Sequence, residues 1–164
     1  MTETPAVKHR ITPLEWIGVG AGGVAVVASF MPWYTLSGTL VDEQRNLGLR
    51  TSLSAWGAYF LGWFPIVLLV AVAVLIVGQM FSRRLPMLAS LWLTLALLAT
   101  VMILLRWITV PDATEFTGRG EDYAQFHAGF GLYLGLAAAV VSGVGGFLTF
   151  RVHQRTTRAT GANG

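Results

Sequence analysis

Four stretches without a single Asp, Glu, Lys or Arg dominate this 164-residue chain: residues 16–35, 51–82, 85–105 and 128–150. A helix rises about 1.5 Å per residue, so roughly 20 apolar residues cross a hydrocarbon core about 30 Å thick. Within lipid an open strand leaves its backbone polar groups unpaired, whereas a helix satisfies them internally. The expected fold is therefore all-α: a four-helix transmembrane bundle. Charged residues make up 12% of the chain, about half of the ~25% usual in soluble domains. That shortage argues against a soluble enzyme, a nucleic-acid-binding domain and a disordered protein, and nucleic acid is not an expected partner. The chain has no cysteine, which removes disulfides, thiol chemistry and Cys-ligated metals from consideration.

The expected spans are residues 13–34, 54–80, 86–107 and 128–150. They are separated by an outer loop at 35–53, a turn at 81–85 and a second outer loop at 108–127, with tails at 1–12 and 151–164. Thr12, Pro13 and Glu15 form a capping-box start for the first span. That span has no small-residue cleavage signal near its end and reads as an uncleaved helix. Pro65 is expected to kink the second span. Trp33, Tyr34, Trp56, Tyr59 and Trp63 fall at helix ends, where an amphipathic ring reaches both lipid and water. In the first loop, loose alternation over residues 36–41 and 47–53 suggests a small hairpin. In the second, Asp112 to Glu115 repeats a capping-box pattern, and Gly118-Arg119-Gly120 reads as a tip.

Orientation follows from charge. An even number of spans puts both tails and the 81–85 turn on one side. That side carries Lys8, Arg10, Arg83, Arg84, Arg151, Arg155 and Arg158 against Glu3 and Glu15, a net +5. The opposite side carries Arg45, Arg50, Arg106 and Arg119 against six carboxylates, a net −2. Positive residues stay in the cytoplasm, so both termini are expected there. Arg83, Arg84, Arg151, Arg155 and Arg158 are topology anchors, and the last three, at helical spacing, also suit anionic lipid headgroups.

Small residues mark expected helix-packing faces, since helices in lipid associate through close backbone approach. Gly131, Gly135, Ala139 and Gly143 recur every four residues in the fourth span, and Gly18 and Gly22 do so in the first. These two helices are expected to be in close contact.

No catalytic, metal or cofactor site is legible. His9, His127 and His153 lie on the tails and at an outer helix end, so no pair can clamp a haem. Glu15 has a capping role at an opening turn, which disfavours proton-driven export. Arg106 ends an apolar run on the side where positive charge is disfavoured. It is expected to pair with Asp112, Glu115, Glu121 or Asp122, the alternative being an anionic-ligand site at the outer mouth. Trp33, Trp56, Arg106 and His127 are the candidates for outer-face interaction.

Pro32-Trp33-Tyr34 ending the first span, Ser54-Ala55-Trp56 opening the second and Gly129-Phe130-Gly131-Leu132-Tyr133-Leu134 opening the fourth resemble small four-helix integral membrane proteins of actinobacteria. The likeness implies a bacterial plasma-membrane location and no particular activity. Claudin-like tetraspans share the four-span layout and a first-loop Trp, but their paired loop cysteines are missing here and nothing is carried over from them. The expected role is non-enzymatic: an accessory or scaffold subunit, cofactor-free, embedded in the bilayer and packed on itself or on a larger membrane protein. The alternative is an oligomeric channel or facilitator for an uncharged or anionic small solute.

Overall fold

The computed structural model describes residues 12–37, 41, 45–46, 51–79, 87–109 and 125–161. The chain is mostly helical. Its four long helices are α1 (Pro13–Phe30), α2 (Phe60–Gly78), α3 (Leu88–Ile108) and α4 (Phe130–Gly161). Each is long and apolar enough to cross a membrane. The expectation of an all-α chain needs one correction. A three-stranded antiparallel sheet in the order β2-β1-β3 joins the helices at one end, built from β1 (Pro32–Ser37), β2 (Ser52–Ser54) and β3 (Gln125–Ala128). The hairpin expected from residues 36–41 and 47–53 overlaps the β1–β2 strands only at 36–37 and 52–53; residue 41 is helical, and 38–40, 42–44 and 47–50 lie outside the described residues. The third strand, from the segment before α4, was not anticipated.

α1 starts as its sequence dictates. Thr12 Oγ1 accepts from the Glu15 amide at 3.4 Å, and the Thr12 amide donates back to Glu15 Oε2 at 2.6 Å. The helix ends four residues before the expected Tyr34. Pro32 disfavours helical geometry at the preceding residue, and Met31 is extended, with φ −76° and ψ 161°. The chain therefore leaves α1 straight into β1. At the second span, the residues from Ser54 to Gly57 are not helical as expected. They close β2 and make a 3-10 turn (Ala55–Gly57), and α2 opens only at Phe60. α2 runs on through Pro65 as one helix. α4 covers 32 residues, about 48 Å at 1.5 Å each. The helix thus carries on through Arg151 into the segment expected to be a tail.

The helices pack in a ring, α1 on α2, α2 on α3, α3 on α4 and α4 on α1, while α2 and α4 barely touch across the diagonal. This bears out the expected α1–α4 contact. Two tryptophans organise the interior. Trp33 sits in a cluster with Tyr34, Leu69, Ile103, Leu132 and Ala139 near the sheet. Trp92 sits with Val72, Ile76, Leu88 and Ala96 toward the other end.

Candidate functional site

The sheet is fastened to the bundle by two adjacent residues of β1 that are both wholly buried, Trp33 and Tyr34. Regular alternation sends neighbouring side chains to opposite faces. Here the β1–β2 register shifts between Pro32 and Tyr34, and such a bulge re-aims a side chain. Trp33 donates from its indole to the Ala28 carbonyl at 2.9 Å, an acceptor in the last turn of α1. Its ring lies over α4: a Cβ on Gly131 would stand 2.7 Å from Trp33 Cδ1, and one on Gly135 3.1 Å from Cζ2. The turn into α4 is equally tight. The Gly129 amide donates to the Trp33 carbonyl at 2.7 Å, and any Cβ on Gly129 would run into the backbone carbonyl of Pro32.

The small-residue faces mostly seat side chains, although Gly131 also approaches α1, where its added Cβ would stand 2.9 Å from the Ala28 carbonyl oxygen. Gly131 and Gly135 make room for Trp33, and Ala139 is buried in the same cluster. Gly18 faces Trp92 and Ile76, each 2.6 Å from its virtual Cβ, and Gly22 faces Ala73 at 2.7 Å. Gly18 therefore accommodates α2 and α3, and Gly22 accommodates α2, rather than α4. Gly143 is in looser surroundings, with Ala96 Cβ at 4.0 Å, and borders an apolar groove of about 500 Å³ between α3 and α4. Gly145 and Gly146, not singled out from the sequence, make the close approach to α3 instead, against Trp92 and Leu93. Trp92 closes this lower cluster by donating to Ser142 Oγ at 3.1 Å.

Tyr34 leads to the most unusual group in the molecule. Its phenol donates to the Arg106 carbonyl at 2.9 Å, satisfying one of the carbonyls that the last turn of a helix leaves open. The Arg106 side chain folds back over the same ring, with Cζ 5.0 Å from the Tyr34 centroid and 6.0 Å from that of Tyr59. Only 7% of Arg106 is exposed. Nη1 donates to the Thr109 carbonyl at 3.2 Å. Nε and Nη2 are buried and have no hydrogen-bond partner among the described residues. The expected carboxylate partners Asp112, Glu115, Glu121 and Asp122 lie outside the described residues. Among the described residues the guanidinium is held by two aromatic faces, one carbonyl and the negative end of the α3 dipole.

Tyr59, directly before α2, has φ 59° and ψ −170°. It is the one non-glycine with positive φ among the described residues. That region is almost reserved for glycine and costs about 1–3 kcal/mol. Burial pushes the Tyr34 phenol above its ordinary value of 10.0, while the charge of Arg106 works in the opposite direction.

Of the other outer-face candidates, Trp33 is a correction: it is wholly buried and offers no surface for recognition. Trp56 is 52% exposed, stacks near Phe30 with centroids 6.3 Å apart, and donates to Ser29 Oγ at 3.2 Å. Ser29 in turn donates to the Val26 carbonyl, so Trp56 pins the 3-10 turn to α1. His127 is exposed on β3 opposite Thr35. Arg151 stacks on Phe147 at 5.6 Å. Arg155 and Arg158 continue the α4 helix, and Arg83, Arg84, the 112–115 capping pattern and the 118–120 tip lie outside the described residues. The features that sequence reasoning missed are β3, the strained Tyr59 and the Tyr34–Arg106 clasp. Only the alternation of Gln125, Phe126, His127 and Ala128 could have signalled the first. Comparison with known proteins adds no relative: no family model matches the chain, and no significant match is found among curated proteins or solved structures.

Proposed function

We propose that this chain is a non-enzymatic accessory or scaffold subunit of a bacterial cell-envelope complex, held in the plasma membrane with both termini in the cytoplasm and the sheet outside. The observation that carries the reading is the sheet itself, held on the bundle by hydrogen bonds from Trp33, Tyr34 and Trp56. Ser37, Gln125 and His127 are exposed on it. β2 and β3 are its two edges among the described residues, and an open strand edge is a standing template for a partner's extended segment. The charge asymmetry of the sequence supports the orientation.

The interior favours this reading over a pore within one chain. Hydroxyls on the helices are spent locally: Ser142 on Trp92, Thr100 on the Ala96 carbonyl and Thr149 on the Gly145 carbonyl. The test is purification of the tagged chain from its host in mild detergent, with native mass measurement and identification of whatever co-elutes. A stoichiometric larger membrane protein is the expected result. A partner-free homo-oligomer that passes solutes in proteoliposomes overturns it in favour of a channel.

A further inference from the structure

We propose that Arg106 is a binding site for a phosphate group, with Nε and Nη2 as its two donors. A guanidinium offers two parallel N–H groups along its Nε–Nη2 edge, matched in spacing to two oxygens of one oxyanion. In this protein the other edge is already used, by the bond from Nη1 to Thr109, while both atoms of the matching edge are buried without a partner among the described residues. A buried donor left unpaired costs about 1–3 kcal/mol, and more when charged. A chain that only needed to fill this space would be served better by an apolar side chain of the same length.

The surroundings hold the fork in place. Tyr34 lies under the guanidinium at 5.0 Å and is itself tied to the α3 backbone by its phenol. Tyr59, 61% exposed and strained, lies across it at 6.0 Å. Strain of this kind persists only where the surrounding structure imposes it, and it gathers at ligand clamps. Tyr59 is thus a positioning residue, its ring centroid 6.0 Å from the guanidinium carbon. Arg106 sits in the last turn of a membrane-length helix, the depth at which a bilayer presents phosphodiesters. The ligand is accordingly a phosphate oxyanion, from either a phospholipid headgroup or free phosphate.

The test uses the full chain in phosphate-free mild detergent, titrated separately with phosphatidylglycerol, inorganic phosphate and a phosphate-free glycolipid. Phosphatidylglycerol at about a hundredfold excess over its Kd is expected to raise Tm by about 5–10 °C. Arg106→Lys, which keeps the charge and loses the fork, is expected to bind about tenfold or more weakly. A response to inorganic phosphate as well identifies free phosphate as a sufficient ligand, and a response to the phospholipid alone identifies the headgroup. An equal shift with the glycolipid, or an unchanged Kd in Arg106→Lys, overturns the proposal. Should Arg106→Lys fail to fold, the wild-type arginine Nε–H resonances decide. One exchange-protected signal is expected to move downfield as phosphate ligand is added. A protected signal already downfield and indifferent to all three probes shows an internal partner and overturns the site.

Discussion

The phenol of Tyr34 does two jobs at once. It closes an open carbonyl of α3, and its ring supports a buried cation. Tyr34→Phe keeps the ring and removes the bond, so the expected cost is about 1–2 kcal/mol, measured as a lowered Tm in detergent. The same residue links stability to pH. Burial raises its pKa, so the folded state favours the neutral phenol. Its contribution is fully present below the ordinary value of 10.0 and is lost as pH rises through the higher folded value. Wild type is therefore expected to lose Tm more steeply than Tyr34→Phe above about pH 10. Parallel curves for the two proteins would show that Tyr34 is not the titrating group. At this scale the sequence said little. It placed Tyr34 and Arg106 at the same membrane level, but they are 72 positions apart, and nothing local marks one as the other's partner.

Among the elements, glycine content misleads unless each glycine is placed. α1 carries Gly18 and Gly22 under neighbouring side chains, whereas Gly20 and Gly23 have nothing within 4 Å of a virtual Cβ. On α4, Gly135 lies beneath Trp33 at 3.1 Å. Gly135→Leu is expected to cost at least about 1–3 kcal/mol through overpacking, because it drives the Trp33 ring and the sheet off the bundle. Gly20→Leu and Gly23→Leu are expected to be neutral or to stabilise by up to about 1 kcal/mol, since leucine is the better helix former. Thermal unfolding of the three variants in one detergent checks this, and a Gly135→Leu protein as stable as Gly23→Leu would sink the packing account. The periodicity of small residues was visible from the outset, but what they face was not. A step of four places Gly131 and Gly135 on one side of α4 without naming the indole that occupies it.

For the whole molecule, the question is which end of the bundle faces which compartment. The absence of cysteine makes the chain a clean background for single-cysteine labelling. Ser37→Cys, exposed on β1, is expected to react with a membrane-impermeant maleimide on intact cells. Gln154→Cys, exposed on the far extension of α4, is expected to react only after permeabilisation. The reversed pattern would refute the charge-based orientation and put the sheet in the cytoplasm.

Four apolar helices, their order and the capping of α1 follow from the sequence alone. Hydropathy over 20 residues and a Thr-Pro-x-Glu start are local properties, and lipid leaves a single chain segment little choice but a helix. The helix ends were legible where a local rule rules them, as Pro32 does by forcing Met31 out of α1, and the misplaced boundary came from giving aromatic composition more weight than that rule. The sheet, the burial of Trp33 and the clasp on Arg106 were decided only in the tertiary structure. Each joins segments from opposite ends of the chain, β1 with β3 or Tyr34 with Arg106. Such pairings depend on where the helices bring their ends together, and no pattern confined to either segment specifies that.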